Sequence, residues 1–287
     1  MSIRNNEERL GARAPDESPP IPQTQQEAPS AASSVFSFAV PTEIVELPSG
    51  GKYYPEDHPL RNVGTIEIKH MTAKEEDILT SRSLLKKGLA IDRLLQSILV
   101  TSGVNPDDLL IGDKNAILIA TRVVGYGAAY ETNIMCPACT TTSKNSFDLN
   151  KLEVLDVDLE KEGVKKKGNN FLITLPKTKV EVEVRLLYGR DEKFLAEAMN
   201  MKRKNNLPDS NLTDQIRMFT VSVNGHTDRQ SITNFINNVP ASDSRHLRTT
   251  YNSIVPNIDM TQNFICSACD YDAAMEVPLS ADFFWPK

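Results

Sequence analysis

The chain has 287 residues, 40% hydrophobic and 24% charged, with a formal net charge of -6 and a pI near 5.4. That length suits one large domain or two ordinary ones, and the composition suits a folded globular protein. The acidic balance argues against a protein whose task is to coat nucleic acid, and no apolar run approaches the ~20 residues that span a bilayer.

The N-terminus lacks the basic-then-apolar order of a secretory signal, so the expected place of synthesis and assembly is the cytosol. Residues 1–34 are rich in Pro, Gln, Glu, Ser and Ala. They carry too little apolar surface to offset the entropy of ordering and read as a disordered arm, either a tether or a dispensable tail. Val35–Val40 alternates with period two and is expected to be a strand. Leu47–Gly51 is a turn, Tyr53–Pro55 an extended segment, and Thr65–Lys69 a strand with Ile66 and Ile68 on one face. Thr72 and Glu75 have capping-box spacing for a helix start. Ser83–Lys87 with Gly88 predicts a short helix stopped by a left-handed residue. Ile91, Leu94, Leu95 and Ile98 predict a helix over Leu89–Val100, and Asp113 is placed as the cap of a fourth helix ending at Gly125.

From Tyr130 the period changes to two, with Tyr130, Thr132, Ile134 and Cys136 on one face and a return through Phe147 and Leu149. Lys151–Lys167 reads as a solvated charged connection, in which Lys165, Lys166 and Lys167 offset Glu160 and Glu162. Phe171–Leu175 and Val180–Leu186 form a hairpin around Pro176, the second strand with one buried and one wet face. Residues 191–255 read as helical, with Asp191, Thr213 and Ser242 as N-caps and Ile216, Phe219 and Val223 sharing a helix face. Ile258–Leu279 is a second strand pair.

All four cysteines lie in two Cys-x-x-Cys pairs, Cys136–Cys139 and Cys266–Cys269, each at the turn of a hairpin. Two thiolates from one tight turn occupy adjacent corners of a tetrahedron, and two such turns complete a structural Zn²⁺ site. Disulfides or a redox pair are the alternatives. The intervening 126 residues (140–265) must then be an insertion whose ends lie close together. With four protein thiolates no coordination position is open, so a catalytic zinc is not expected. His58, His70, His226 and His246 are scattered, and no P-loop, G-x-S-x-G or H-E-x-x-H motif is present. No catalytic residue and no small-molecule substrate is therefore expected. The terminal aromatics Phe283, Phe284 and Trp285 either fold back on the core or dock on a partner.

The fold class expected is α+β: a helical N-terminal unit (35–127), a discontinuous zinc-ribbon unit (128–150 and 256–287), and a mixed α/β insertion (151–255). The strings Leu47–Pro55, Thr72–Ser81, Leu84–Gly88, Asp92–Ser97 and Leu109–Ala120 resemble the baseplate hub proteins of T-even-type contractile-tailed phages. The resemblance implies a non-enzymatic protein that builds, or helps assemble, the centre of a phage baseplate, made in the host cytoplasm and partnered by other baseplate or tail proteins. Two other readings stay open: a nucleic-acid-binding zinc ribbon, and a thiol-disulfide redox protein.

Overall fold

The structure is a computed structural model describing residues 39–160, 162–208, 210–278 and 281–284. The expected arm (1–34) lies outside these residues. So does the expected strand at 35–40, apart from Ala39 and Val40, which are in no strand. Strand β1 (Thr42–Glu46) pairs antiparallel with β2 (Thr65–Lys69). Ile66 and Ile68 are buried and Glu67 faces out, as the alternation requires. Between them the chain is a succession of turns, so Tyr53–Pro55 is not extended. Gly51 sits at φ +71°, and a Cβ there would fall 2.4 Å from the Leu60 carbonyl oxygen, which restricts the position to glycine. These turns carry Tyr54 fully into the core.

Helices α1 (Ala73–Thr80), α2 (Arg82–Lys87) and α3 (Ala90–Ile98) follow where their signals predict. Gly88 ends α2 at φ +69°, and α3 buries Leu94, Leu95 and Ile98. The capping-box residue Glu75 does more than cap. Its fully buried carboxylate accepts from the Thr72 amide (2.9 Å), the Thr72 hydroxyl (2.5 Å), the Ser97 hydroxyl (2.5 Å) and Lys69 Nζ (3.1 Å). Burial alone would raise its pKa, but the bonds from Ser97, Thr72 and Lys69 win and hold it at about 2. One side chain thus ties α1 to β2 and α3.

Helix α4 (Ile111–Tyr126) begins earlier and ends later than the sequence suggests, with Leu110 as N-cap and Gly127 as C-cap; Gly125 lies inside it. Asp113 is therefore not the cap but a buried first-turn residue. Its carboxylate accepts from the Ser49 amide (2.9 Å), the Ser49 hydroxyl (2.6 Å) and the Tyr54 hydroxyl (2.7 Å). A carboxylate suits the positive end of a helix, and here tertiary donors take the bonds that the helix amides would have offered.

Strands β3 (Ala129–Met135) and β4 (Thr142–Asp148) form the first hairpin. An antiparallel sheet in the order β5-β6-β7-β8 follows, from β5 (Lys165–Lys167), β6 (Asn170–Thr174), β7 (Glu181–Arg185) and β8 (Thr220–Val223). Three expectations are corrected here. Lys165–Lys167 is an exposed edge strand rather than only a loop, and a lysine edge discourages further pairing. Thr220–Val223 is a strand rather than a continuation of helix, because pairing with β7 outweighs the local period. That pairing makes β7 an inner strand, so Glu183 is buried, not wet, and accepts from Lys167 (2.8 Å), Asn170 (2.8 Å) and Ser222 (3.0 Å).

Helices α5 (Gly189–Lys204) and α6 (Asn211–Phe219) lie between β7 and β8 in sequence, and α7 (Arg229–Asn238) and α8 (Ala241–Ile254) follow β8. The caps of α5, α6 and α8 are Tyr188, Ser210 and Pro240; Asp191, Thr213 and Ser242 lie within the first turns instead. Asp191 accepts from both terminal guanidinium nitrogens of Arg185, Nη1 and Nη2 (2.8 and 2.9 Å), a bidentate geometry that anchors α5 to β7. Strands β9 (Thr261–Ile265) and β10 (Asp272–Glu276) form the last hairpin. The described residues from Val40 onward make one compact unit. The fold is α+β, with eight α-helices and only antiparallel sheets among the described residues.

Candidate metal centre

The two hairpins are built alike. Ile134 and Phe264, two residues before each first cysteine, are buried, while Met135 and Ile265 between them face out. The alternation therefore turns Cys136 and Cys266 inward, and both are fully buried. Each turn then closes with the same two bonds. The Cys136 amide donates to the Thr141 carbonyl (2.9 Å) and the Thr140 amide to the Cys136 carbonyl (2.9 Å); the Cys266 amide donates to Tyr271 (2.9 Å) and the Asp270 amide to Cys266 (3.0 Å). Thr140 and Asp270 follow the second cysteines at φ +57° and +55°, the left-handed residue that reverses each chain. The burial pattern of residues 130–138 repeats at 260–268 without exception. Two copies of one supersecondary unit, far apart in sequence, face each other.

They meet at the sulfurs. Cys136 Sγ lies 3.8 Å from Cys269 Sγ, and Cys139 Sγ lies 3.7 Å from Cys266 Sγ. All four sulfurs fall within 4.8 Å of one another, and all are free thiols. A tetrahedral ion bonded to sulfur at about 2.3 Å spaces its ligands about 3.8 Å apart, so the cluster could hold such an ion. Hydrogen bonds from the Thr141 hydroxyl and amide hold the Cys139 thiol at about 6, below its usual 9.0. At Cys269 the Tyr271 amide lowers the pKa, but the neighbouring thiols outweigh it and push the value up to about 12.

The surrounding bonds make this junction a closure of the chain. The Gln262 side chain accepts from the Asp148 amide (3.2 Å) and donates to the Asp148 carbonyl (2.7 Å), joining the hairpins at their base. Leu155 N–H donates to the Asn257 carbonyl (2.8 Å) and Asp259 N–H to the Glu153 carbonyl (2.7 Å). Gly112 lets the 256–257 backbone rest on α4, since a Cβ there would lie 1.9 Å from the Pro256 oxygen. The fully buried Arg122 donates to the carbonyls of Phe283 (2.7 Å), Gly127 (2.7 Å) and Ala129 (3.2 Å). Phe283 and Phe284 fold back into the core, Phe283 edge-on to Tyr130 at 5.1 Å; Trp285 and Pro286 lie outside the described residues.

Residues 40–285 match the protein family described as T4 bacteriophage base plate protein. The chain belongs to that family. Neither a curated protein nor a solved structure matches it. In this baseplate protein the sequence-predicted cysteines are brought together, whereas the four histidines are not: the thiols form the one cluster of potential metal ligands among the described residues. His58 stacks on Tyr54 at 4.3 Å and accepts the Leu60 amide through Nδ1 (3.1 Å), a packing role. No described helix is long and apolar enough to cross a membrane. Sequence reasoning missed Arg122 and Gln262, whose long polar side chains gave no periodic signal.

Proposed function

We propose that this chain is a structural or assembly component of the central hub of a contractile phage-tail baseplate, stapled by one structural Zn²⁺ on Cys136, Cys139, Cys266 and Cys269. The observation that carries the reading is the meeting of two matched cysteine turns, 126 residues apart (140–265), in a chain of the baseplate family. Zinc bonds would supply folding free energy where the hairpins themselves bury little. Four thiolates fill a tetrahedron, so the ion would have no open position and the protein no metal chemistry. Within the chain, 128–150 and 256–287 form the stapled unit, 35–127 the unit before it and 151–255 the insertion. Other baseplate or tail proteins are its partners, and the virion baseplate is where it acts. Around the second turn Asp270, Asp272 and Glu276 are all exposed, which disfavours a nucleic-acid face.

Elemental analysis of the purified chain, combined with mass spectrometry of purified virions, tests both halves. One zinc per chain with no freely titrating thiol, and the chain present in virions, is the expected result. No zinc with four reactive thiols refutes the staple. Absence from virions moves the protein from hub component to assembly factor.

A further inference from the structure

Helix α8 borders two adjoining hollows of about 440 and 480 Å³ that share Ile111, Leu187, Tyr251 and Asn252 in their walls. Leu195, Met199 and Phe219 make the smaller one largely apolar. Arg248 lines the same hollow, and its Nε is buried with no hydrogen-bond partner. Among the described residues the guanidinium forms no ion pair and no hydrogen bond. Gln215 and Asn252 line this hollow too, and neither side chain bonds to a described residue. The one carboxylate on the wall of this hollow, Glu192, lies 3.1 Å from Lys114 Nζ, whereas the adjoining hollow carries Asp259 and Glu276, so an incoming carboxylate is favoured only at the Arg248 end.

Arg248 is half-buried, and a buried donor on a cationic side chain is costly when left unmatched; other half-buried arginines have partners, Arg61 two carbonyls, Arg185 Asp191 and Arg217 Asp214. An apolar hollow with a few convergent polar groups is the usual form of a binding site. The planar guanidinium fork matches a carboxylate, and the apolar walls match an aliphatic or aromatic side chain beside it. Two hollows side by side suit a length of polypeptide better than a compact small molecule.

We infer that this groove receives a segment of a neighbouring baseplate protein, in which a carboxylate meets Arg248 and an adjacent apolar side chain fills the hollow. The inference rests on the baseplate reading above.

The test uses the full-length chain, affinity-tagged and expressed during infection, as wild type, Arg248→Met and Arg248→Lys. A photo-reactive phenylalanine analogue at Gln215 reports what lies in the groove. Arg248→Met keeps the apolar length and removes the orphaned donor, so its Tm should equal or exceed that of wild type. Recovery of co-purifying baseplate proteins should nevertheless fall by at least about 30-fold, the loss typical of truncating a buried charged contact, with Arg248→Lys in between. The cross-linked peptide should hold Asp, Glu or a chain terminus next to an apolar residue. Equal recovery by Arg248→Met, a clearly lowered Tm, cross-links to a second copy of this chain, or a bound small anion in native mass spectra would each overturn the inference. If the wild-type chain associates with no baseplate protein, the functional reading and this inference fall together. If it associates and Arg248→Met does so equally, only this inference falls.

Discussion

Glu75→Gln isolates the electrostatic contribution of one buried side chain. The wild-type carboxylate is fully buried and receives four donors: the Thr72 amide and hydroxyl, the Ser97 hydroxyl and Lys69 Nζ. Holding it at about 2 rather than 4.5 corresponds to about 3 kcal/mol favouring the folded, ionised form. Because the folded pKa lies below the unfolded one, this stability is complete above about pH 4.5 and is lost as pH falls toward about 2. Glutamine cannot ionise, so it lacks the contribution at every pH. Urea unfolding of both proteins should give a difference of about 3 kcal/mol at pH 7, narrowing to about 1.5 kcal/mol at pH 3. Thermal melts at pH 7 should differ by roughly 6–12 °C. The same difference at both pH values, or none at pH 7, would refute the reasoning: the donors would then be serving a neutral group or none.

Chelation, or Cys266→Ser, should abolish hydrogen-exchange protection in 129–148 and 261–277 while β6 and β7 stay protected; uniform loss or no loss would contradict a local staple. Gly112→Ala should cost more than about 3 kcal/mol or give insoluble protein, because the new methyl meets Pro256 backbone on a rigid helix. Wild-type melting behaviour would show that the 256–257 segment is free to move. Asp113→Ala leaves the Ser49 amide and the Tyr54 hydroxyl proton without acceptors inside the core, the Tyr54 oxygen still accepting from the Leu110 amide, and should cost about 3 kcal/mol in urea titrations, with Asp113→Asn recovering part of it. Equal losses in the two variants would mean that cavity formation, not hydrogen bonding, sets the cost.

What the sequence determined by itself was everything carried by local pattern. Thr72 and Glu75 marked the start of α1, Gly88 the end of α2, and the 3–4 spacing of Leu94, Leu95 and Ile98 the buried face of α3, because a cap or a face depends only on neighbours in the chain. The two cysteine turns were legible for the same reason, each being complete within a few residues. Tertiary structure alone decided the rest. Asp113 looked like a cap until Ser49 and Tyr54 claimed its oxygens; Thr220–Val223 read as helix until β7 offered its open edge; Glu183 looked wet until that same pairing covered it. The four sulfurs follow the same division. Sequence marked the four thiols, but only the fold, which brings the two ends of residues 140–265 together, places Cys136 Sγ 3.8 Å from Cys269 Sγ. Likewise, only packing leaves the Arg248 Nε buried without a partner, since an unmet hydrogen bond is a property of what surrounds a residue and not of its neighbours in the chain.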